Sequence, residues 1–272
     1  MIPNTILIMS ETLKVALIQS NLSWEHAGEN RTNFEQKLNK LTQTVDLVVL
    51  PEMFSSGFTM NASAVAEGMN DATVQWMLRM AKANNFALIG SIVIKENDNF
   101  YNRALCVSPE GSIQYYDKHQ LFTMAGEDKS YTPGEDKVVV EYKGWRIQPL
   151  ICYDLRFPVW SRNTNEVDVL IYMANWPEKR VLAWDTLLKA RAIENMVYCI
   201  GVNRVGVDGK GYNYVGHSAV YDVLGNPITS NTPVEKETIL YATLSKTHIQ
   251  RTRDKLPFLV DADPFTILKK DN

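Results

Sequence analysis

Cysteine is scarce in this chain: three in 272 residues, Cys106, Cys152 and Cys199. An odd number cannot close a disulfide framework, and the spacing matches no zinc signature. A reduced, cytoplasmic setting is the simplest expectation. Long apolar runs are also missing. No stretch approaches the roughly 20 residues a membrane-spanning helix needs. Residues 1–9 are mildly apolar but lack a basic run and a small-residue cleavage site, so they read as a short extension, not a signal peptide. Positive charge is not in excess either. Twenty-eight Lys and Arg against 31 Asp and Glu leave −3, with no footprint for nucleic acid or a membrane surface. No segment is rich enough in Pro, Gly or Ser to be a domain linker, and no internal repeat is visible.

What is present is an ordinary globular composition, 45% apolar and 22% charged, long enough for a large core. Strand-like apolar runs fall at 14–18, 47–50, 87–94, 105–108, 146–151, 169–173 and 197–202. Helical periodicity lies between several of them. Residues 30–42 put Phe34, Leu38 and Leu41 on one face. Residues 71–83 align Val74, Met77, Leu78 and Ala81 behind a candidate N-cap, Asp71. Residues 184–195 carry Leu187, Leu188, Ala190 and Ile193. Pro109-Glu110-Gly111 predicts a hairpin from 104–107 to 113–116, and Leu224-Gly225-Asn226-Pro227 a second one after 218–221. The expected class is α/β with mixed sheets. The tail, 256–272, carries Phe258, Leu259, Phe265 and Leu268, too apolar for a solvated tail, so it should pack on something such as a partner subunit.

Three residues stand where chemistry can happen. Cys152 ends the run Arg146-Ile147-Gln148-Pro149-Leu150-Ile151 and is followed at once by a polar turn. There the backbone N–H groups of Tyr153 and Asp154 could lower the thiol pKa and form part of an oxyanion hole. The alternative is a small core residue, which suits Cys106 and Cys199. Glu52 ends the strand Asp46-Leu47-Val48-Val49-Leu50-Pro51, half out of water, as a base would; a solvated loop glutamate is the plain alternative. Lys118 sits among aromatics in Tyr115-Tyr116-Asp117-Lys118-His119, either stabilising an oxyanion or lying over the rings as a surface lysine. Met173-Ala174-Asn175-Trp176-Pro177 follows another strand and could line a pocket. A Cys–His pair using His119 or His217 competes, because triad members need not be close in sequence. His26 and His248 read as surface residues.

Together these segments resemble the nitrilase superfamily of carbon–nitrogen hydrolases, from Val15-Ala16-Leu17-Ile18-Gln19 to about Ser245. The carriers are Leu50-Pro51-Glu52-Met53-Phe54, Tyr116-Asp117-Lys118-His119-Gln120-Leu121-Phe122 and Ile151-Cys152-Tyr153-Asp154-Leu155-Arg156-Phe157-Pro158. Ala190-Arg191-Ala192-Ile193-Glu194-Asn195 and Asn203-Arg204-Val205-Gly206 add to them. The resemblance implies a four-layer α-β-β-α sandwich and a Glu52–Lys118–Cys152 triad. It also implies a second glutamate, matched by Glu127, that positions substrate and triad. The nucleophile would be Cys152, the base Glu52, and the oxyanion donors Lys118 and the Tyr153 N–H. One domain over 1–272 is implied, with a core of about 13–246 and the tail 247–272 at a homodimer interface.

The sequence around Cys152 and Asn175 is most similar to bacterial ω-amidases, which hydrolyse 2-oxoglutaramate and 2-oxosuccinamate to the 2-oxo acid and ammonia. Such substrates carry a distal carboxylate, so the pocket should hold a cation: Arg156, Lys179, Arg180 or Arg204. Arg156 is expected instead to pair with Glu194. Phe58, Phe122 and Trp176 would form apolar walls. Another carboxylated amide, such as deaminated glutathione or an N-carbamoyl acid, is the alternative within the class. A non-catalytic metabolite binder and a papain-like protease are alternatives outside it. No metal or organic cofactor site is expected.

Overall fold

The computed structural model describes residues 10–164, 167–229 and 234–268. The N-terminal extension, 1–9, and the end of the tail, 269–272, lie outside the described residues. The chain begins with β1 (Thr12–Gln19), α1 (Ala27–Leu38), β2 (Leu47–Val49), α2 (Ala62–Val65) and α3 (Ala72–Asn84). β3 (Ala87–Glu96), β4 (Asn99–Val107) and β5 (Ile113–Asp117) complete the first half. The second half holds β6 (Val140–Tyr142), β7 (Trp145–Ile151), β8 (Val169–Ala174), α4 (Val181–Asn195) and β9 (Tyr198–Asn203). β10 (Val205–Val207), β11 (Asn213–Val215), β12 (Ala219–Tyr221), β13 (Thr238–Ser245) and α5 (Lys246–Lys255) close it.

Two sheets result. One runs β13-β1-β2-β3-β4-β5, the other β12-β9-β8-β7-β6. In each, a central parallel trio (β1–β2–β3, β7–β8–β9) is flanked by antiparallel strands. The period-two alternation of a strand divides β1 between two cores. Val15 and Leu17 point to the second sheet and pack with Ile147 and Val169. Ala16 and Ile18 point to the helices and pack with Phe34, Val74 and Met77. On the far side, Trp184, Leu188 and Ala192 of α4 cover the second sheet. The layers are therefore helix, sheet, sheet, helix. α4 lies so close to β9 that a Cβ on Gly201 would sit 2.3 Å from Leu188.

Local signals explain most boundaries, and a few differ from expectation. Asp71 occupies the N-cap of α3, but its carboxylate turns back to the Gly68 N–H, and Glu67 accepts from the Thr73 N–H instead. Among the described residues the Leu224–Pro227 turn returns a single bridge, Tyr221 to Pro227, in place of a second strand. The Pro109–Gly111 turn does join β4 to β5 as expected. The described tail beyond α5 is largely exposed, with Phe258, Val260, Phe265 and Leu268 facing outward.

Candidate active site

Parallel strands deliver side chains at their carboxyl ends, where α/β proteins collect their sites. Glu52 follows β2, Cys152 follows β7, Asn175 follows β8, and Lys118 follows the antiparallel β5. All four converge at one end of the sandwich. The turn that presents Cys152 is strained: its φ is +43°, in the left-handed region that a side-chain-bearing residue enters at a cost. Met53, next to Glu52, is also there, at +44°. Asp154 holds the Cys152 turn in place. Its carboxylate accepts from the Ile151 N–H at 2.9 Å, the Gln120 N–H at 2.9 Å and the Tyr116 hydroxyl at 2.7 Å. One side chain thus ties the nucleophile's turn to the segment bearing Lys118.

Lys118 lies between two carboxylates. Its Nζ donates to Glu52 Oε1 at 3.0 Å and to both oxygens of Glu127 at 2.9 Å, and it sits 5.1 Å above the Phe58 ring centre. Glu52 and Glu127 are fully enclosed and Lys118 is 1% exposed. Glu52 is thus not half out of water: the Lys118 ammonium and two N–H donors hold its carboxylate, and a third donor holds its carbonyl. Asn102 Nδ2 donates to Oε1 at 2.8 Å, the Asn175 N–H to Oε2 at 2.8 Å, and Asn175 Nδ2 to the Glu52 carbonyl at 2.6 Å. Gly126, at φ +77°, turns the chain so that Glu127 faces inward, where it also accepts from the Phe122 N–H at 2.6 Å. Glu127 therefore grips Lys118 and does not reach the cavity.

The electrostatics follow from this packing. Burial works against the Lys118 ammonium, but Glu127 and Glu52, with Cys152, hold it protonated and raise its pKa. Burial raises the Glu127 carboxyl, Lys118 pulling the other way and Glu52 adding to the rise. The Cys152 thiol is pushed well above its ordinary value by burial first and by Glu52 next, Lys118 opposing. This corrects the expectation that the turn's N–H groups would lower it. Two nearby carboxylates and a low-dielectric floor outweigh the dipole, so the resting group is a thiol that needs a base.

Above the floor opens a cavity of about 370 Å³. Phe58, Lys118, Phe122, Cys152, Tyr153, Arg156, Asn175 and Trp176 line it, with Arg180, Asp208, Lys210 and Tyr214. The first eight and Arg180 were singled out in the sequence. The carbonyl of Asn175 accepts from the Cys152 thiol at 3.9 Å. Arg156 does not pair with Glu194: its guanidinium stacks 4.8 Å from the Trp176 ring centre, and Glu194 takes Arg191 at 2.8 Å. Neither candidate histidine lines the cavity. His119 stacks on Trp160 and its Nδ1 contacts the Gly134 carbonyl, while His217 Nδ1 meets Asp185 at 2.9 Å. His26 is exposed as expected, but His248 is half-buried.

Asn102, Asp208 and Tyr214 were not anticipated. Asn102 is a polar residue in the middle of β4, which is the one signal that could have marked it. Ser91 Oγ donates to its Oδ1 at 2.8 Å and accepts from the Met53 N–H at 2.8 Å, so its amide is aimed at the carboxylates. Among the described residues no cluster of three His, Cys, Asp or Glu is placed to hold a metal ion. No described helix is long and apolar enough to cross a membrane.

The signature of the Carbon-nitrogen hydrolase family matches residues 14–254. The chain belongs to that family. Within it, this carbon–nitrogen hydrolase is 44% identical to "Omega-amidase YafV" of Escherichia coli (strain K12), over 94% of the chain and 98% of the relative. It is 29% identical to "2-oxoglutaramate amidase" of Bacillus subtilis (strain 168), over 91% and 96%. The crystal structure of XC1258 from Xanthomonas campestris, a CN-hydrolase superfamily protein with an arsenic adduct in its active site, superposes with a TM-score of 0.91. That match is 39% identical and covers 95% of this chain and all of the other. The α-β-β-α sandwich of this hydrolase is therefore of the nitrilase type.

Proposed function

We propose that this protein is an ω-amidase that hydrolyses the terminal amide of small 2-oxo acid amides, 2-oxoglutaramate and 2-oxosuccinamate, to the 2-oxo acid and ammonia. The observation that carries the reading is the Cys152 thiol on the floor of a cavity beside the buried Lys118–Glu52 pair. Similarity to an ω-amidase and a 2-oxoglutaramate amidase along nearly the whole chain supports the substrate class.

Glu52 takes the Sγ proton as the sulfur attacks the amide carbon. The carbonyl electrons move onto oxygen, where the Lys118 ammonium and the Tyr153 N–H receive the charge. The intermediate collapses, Glu52 passes its proton to the nitrogen, the C–N bond breaks and ammonia leaves. Water then attacks the thioester, giving its proton to Glu52. The S–C bond breaks, the acid departs and the thiol is reprotonated. Because the thiol resists ionisation by itself, substrate and base must be in place together before attack. Glu127 positions Lys118, and Asn102 positions both carboxylates.

Phe58, Phe122 and Trp176 wall the acyl chain, Asn175 holds the base, and Arg156 offers the substrate's carboxylate a cation. The whole chain works as one domain in the cytoplasm. The exposed apolar tail supports a homodimer, which sedimentation at two protein concentrations would test.

The test of the function is ammonia release from 2-oxoglutaramate by wild type and by Cys152→Ala. Wild type should turn it over and the variant should not. Ammonia release by the variant would overturn the mechanism. Equal carbon dioxide release from a ureido acid by wild type would move the substrate to the carbamoyl branch.

A further inference from the structure

We propose that Arg180, acting with Arg156, is the receptor for the substrate's carboxylate and sets the direction in which the substrate lies. This rests on the amidase reading above and deepens it.

Charge in the cavity is sorted by depth. Beneath the floor one ammonium, Lys118, faces two carboxylates, Glu52 and Glu127, all buried. The cavity walls carry the half-buried Arg156 and Arg180 and the exposed Lys210 against a single carboxylate, Asp208. Asp208 is already engaged, accepting from the Lys210 and Tyr212 N–H groups at 2.9 Å and the Tyr214 hydroxyl at 2.8 Å. A substrate carboxylate at the floor would be repelled by the two carboxylates beneath it. Along the walls it meets surplus cations. The amide is thereby directed to Cys152 and the carboxylate outward.

Of the four cations marked in the sequence, two are removed by their surroundings. Lys179 is exposed and does not line the cavity. Arg204 is buried and does not line the cavity, its Nε and Nη2 donating to Asn21 Oδ1 and the carbonyls of Leu22, Val205 and Val207. The other two share an unusual state. Arg156 lies over Trp176 at 4.8 Å and Arg180 over Phe122 at 5.2 Å, both half-buried. Among the described residues neither guanidinium has a carboxylate or carbonyl partner. A half-buried charge without an anion carries a desolvation cost that stacking offsets only in part. Stacking covers one face of the guanidinium and leaves its N–H edge free. That edge fits a carboxylate in two parallel hydrogen bonds, which a lysine cannot copy. Arg180 is also anchored through its own backbone, whose carbonyl accepts from Trp176 Nε1 at 2.7 Å.

The test measures kcat and KM for 2-oxoglutaramate and for pentanamide, a neutral amide of equal carbon count. Wild type, Arg180→Met, Arg156→Met, Arg180→Lys and Lys179→Met are compared. Loss of charge-assisted bonds should raise the KM for 2-oxoglutaramate about 10- to 100-fold in Arg180→Met, with a smaller effect on kcat. The preference for 2-oxoglutaramate over pentanamide should fall in parallel. Arg180→Lys, which keeps the charge and the fold but not the fork, should recover only part of the loss. Lys179→Met should match wild type. If wild type prefers 2-oxoglutaramate and both arginine-to-methionine variants keep that preference, the receptor proposal is wrong and the amidase reading stands. If wild type itself shows no preference, the substrate reading and the proposal built on it both fall.

Discussion

Arg103 and Lys118 lie on the same β4–β5 hairpin, one step out of phase, and each is a nearly inaccessible cation between two carboxylates. Arg103 pairs in register with Asp117, donating to it at 2.7 and 2.9 Å and to Glu96 at 2.8 Å, with the Tyr115 ring 3.9 Å away. The next position places Asn102 and Lys118 on the opposite face of the pleat. There the partners are Glu52 and Glu127, both at 0% exposure, whereas Glu96 on the other face is 46% exposed along its side chain. Both cations are held protonated against burial by their carboxylates. Burial and a paired charge therefore do not distinguish a site from a brace. What distinguishes them is the open cavity and the thiol on the Lys118 side, neither of which borders Arg103.

The largest expected contrast is in turnover. Lys118→Met removes an oxyanion donor and should cost kcat/KM on the order of 10³-fold. Arg103→Met should leave kcat/KM per folded molecule near wild type. Equal losses in steady-state assays would erase the distinction. Stability should show the reverse emphasis. Arg103→Met leaves Asp117 without its cation and should cost about 3 kcal/mol in urea unfolding; a cost near zero would mean the brace contributes nothing. A smaller effect is expected at the residue joining the faces. Asn102→Ala should lower kcat about 10- to 100-fold by loosening both carboxylates, with little change in KM. An unchanged kcat would show that Lys118 alone aligns them.

The smallest effect is in the pH dependence. The folded pKa of Lys118 is raised, so its ion pairs stabilise the fold fully below the ordinary lysine value of 10.5 and progressively less as pH rises beyond it. The stability gap between wild type and Lys118→Met should shrink as pH rises above that value. The gap for Arg103→Met should stay flat over the same range, because a guanidinium keeps its proton. Parallel curves for the two variants would contradict the assignment of charge.

Much of this was legible in the sequence for a physical reason. Glu52, Lys118 and Cys152 each follow an apolar run, and a strand end is a local signal. The strands themselves were legible wherever burial made the run continuous, as in β3 and β8. β13 was not, because half-buried residues break its pattern. Helix α1 runs from Ala27 to Leu38 and so is shifted N-terminal of the 30–42 span that its periodicity suggests. Asn102, Asp208 and Tyr214 acquire meaning only through partners distant in the chain, such as Asn102 to Glu52 across 50 residues. The Cys152 thiol shows the limit most plainly. Its local turn argues for a lowered pKa, and only the folded neighbours reverse the sign.

The most direct test of the central claim is the intact mass of the protein, quenched in acid during turnover of 2-oxoglutaramate. A single 2-oxoglutaryl group should appear on wild type, map to Cys152 and be absent from Cys152→Ala. Steady turnover with no adduct on Cys152, or with the group on another residue, would contradict the account.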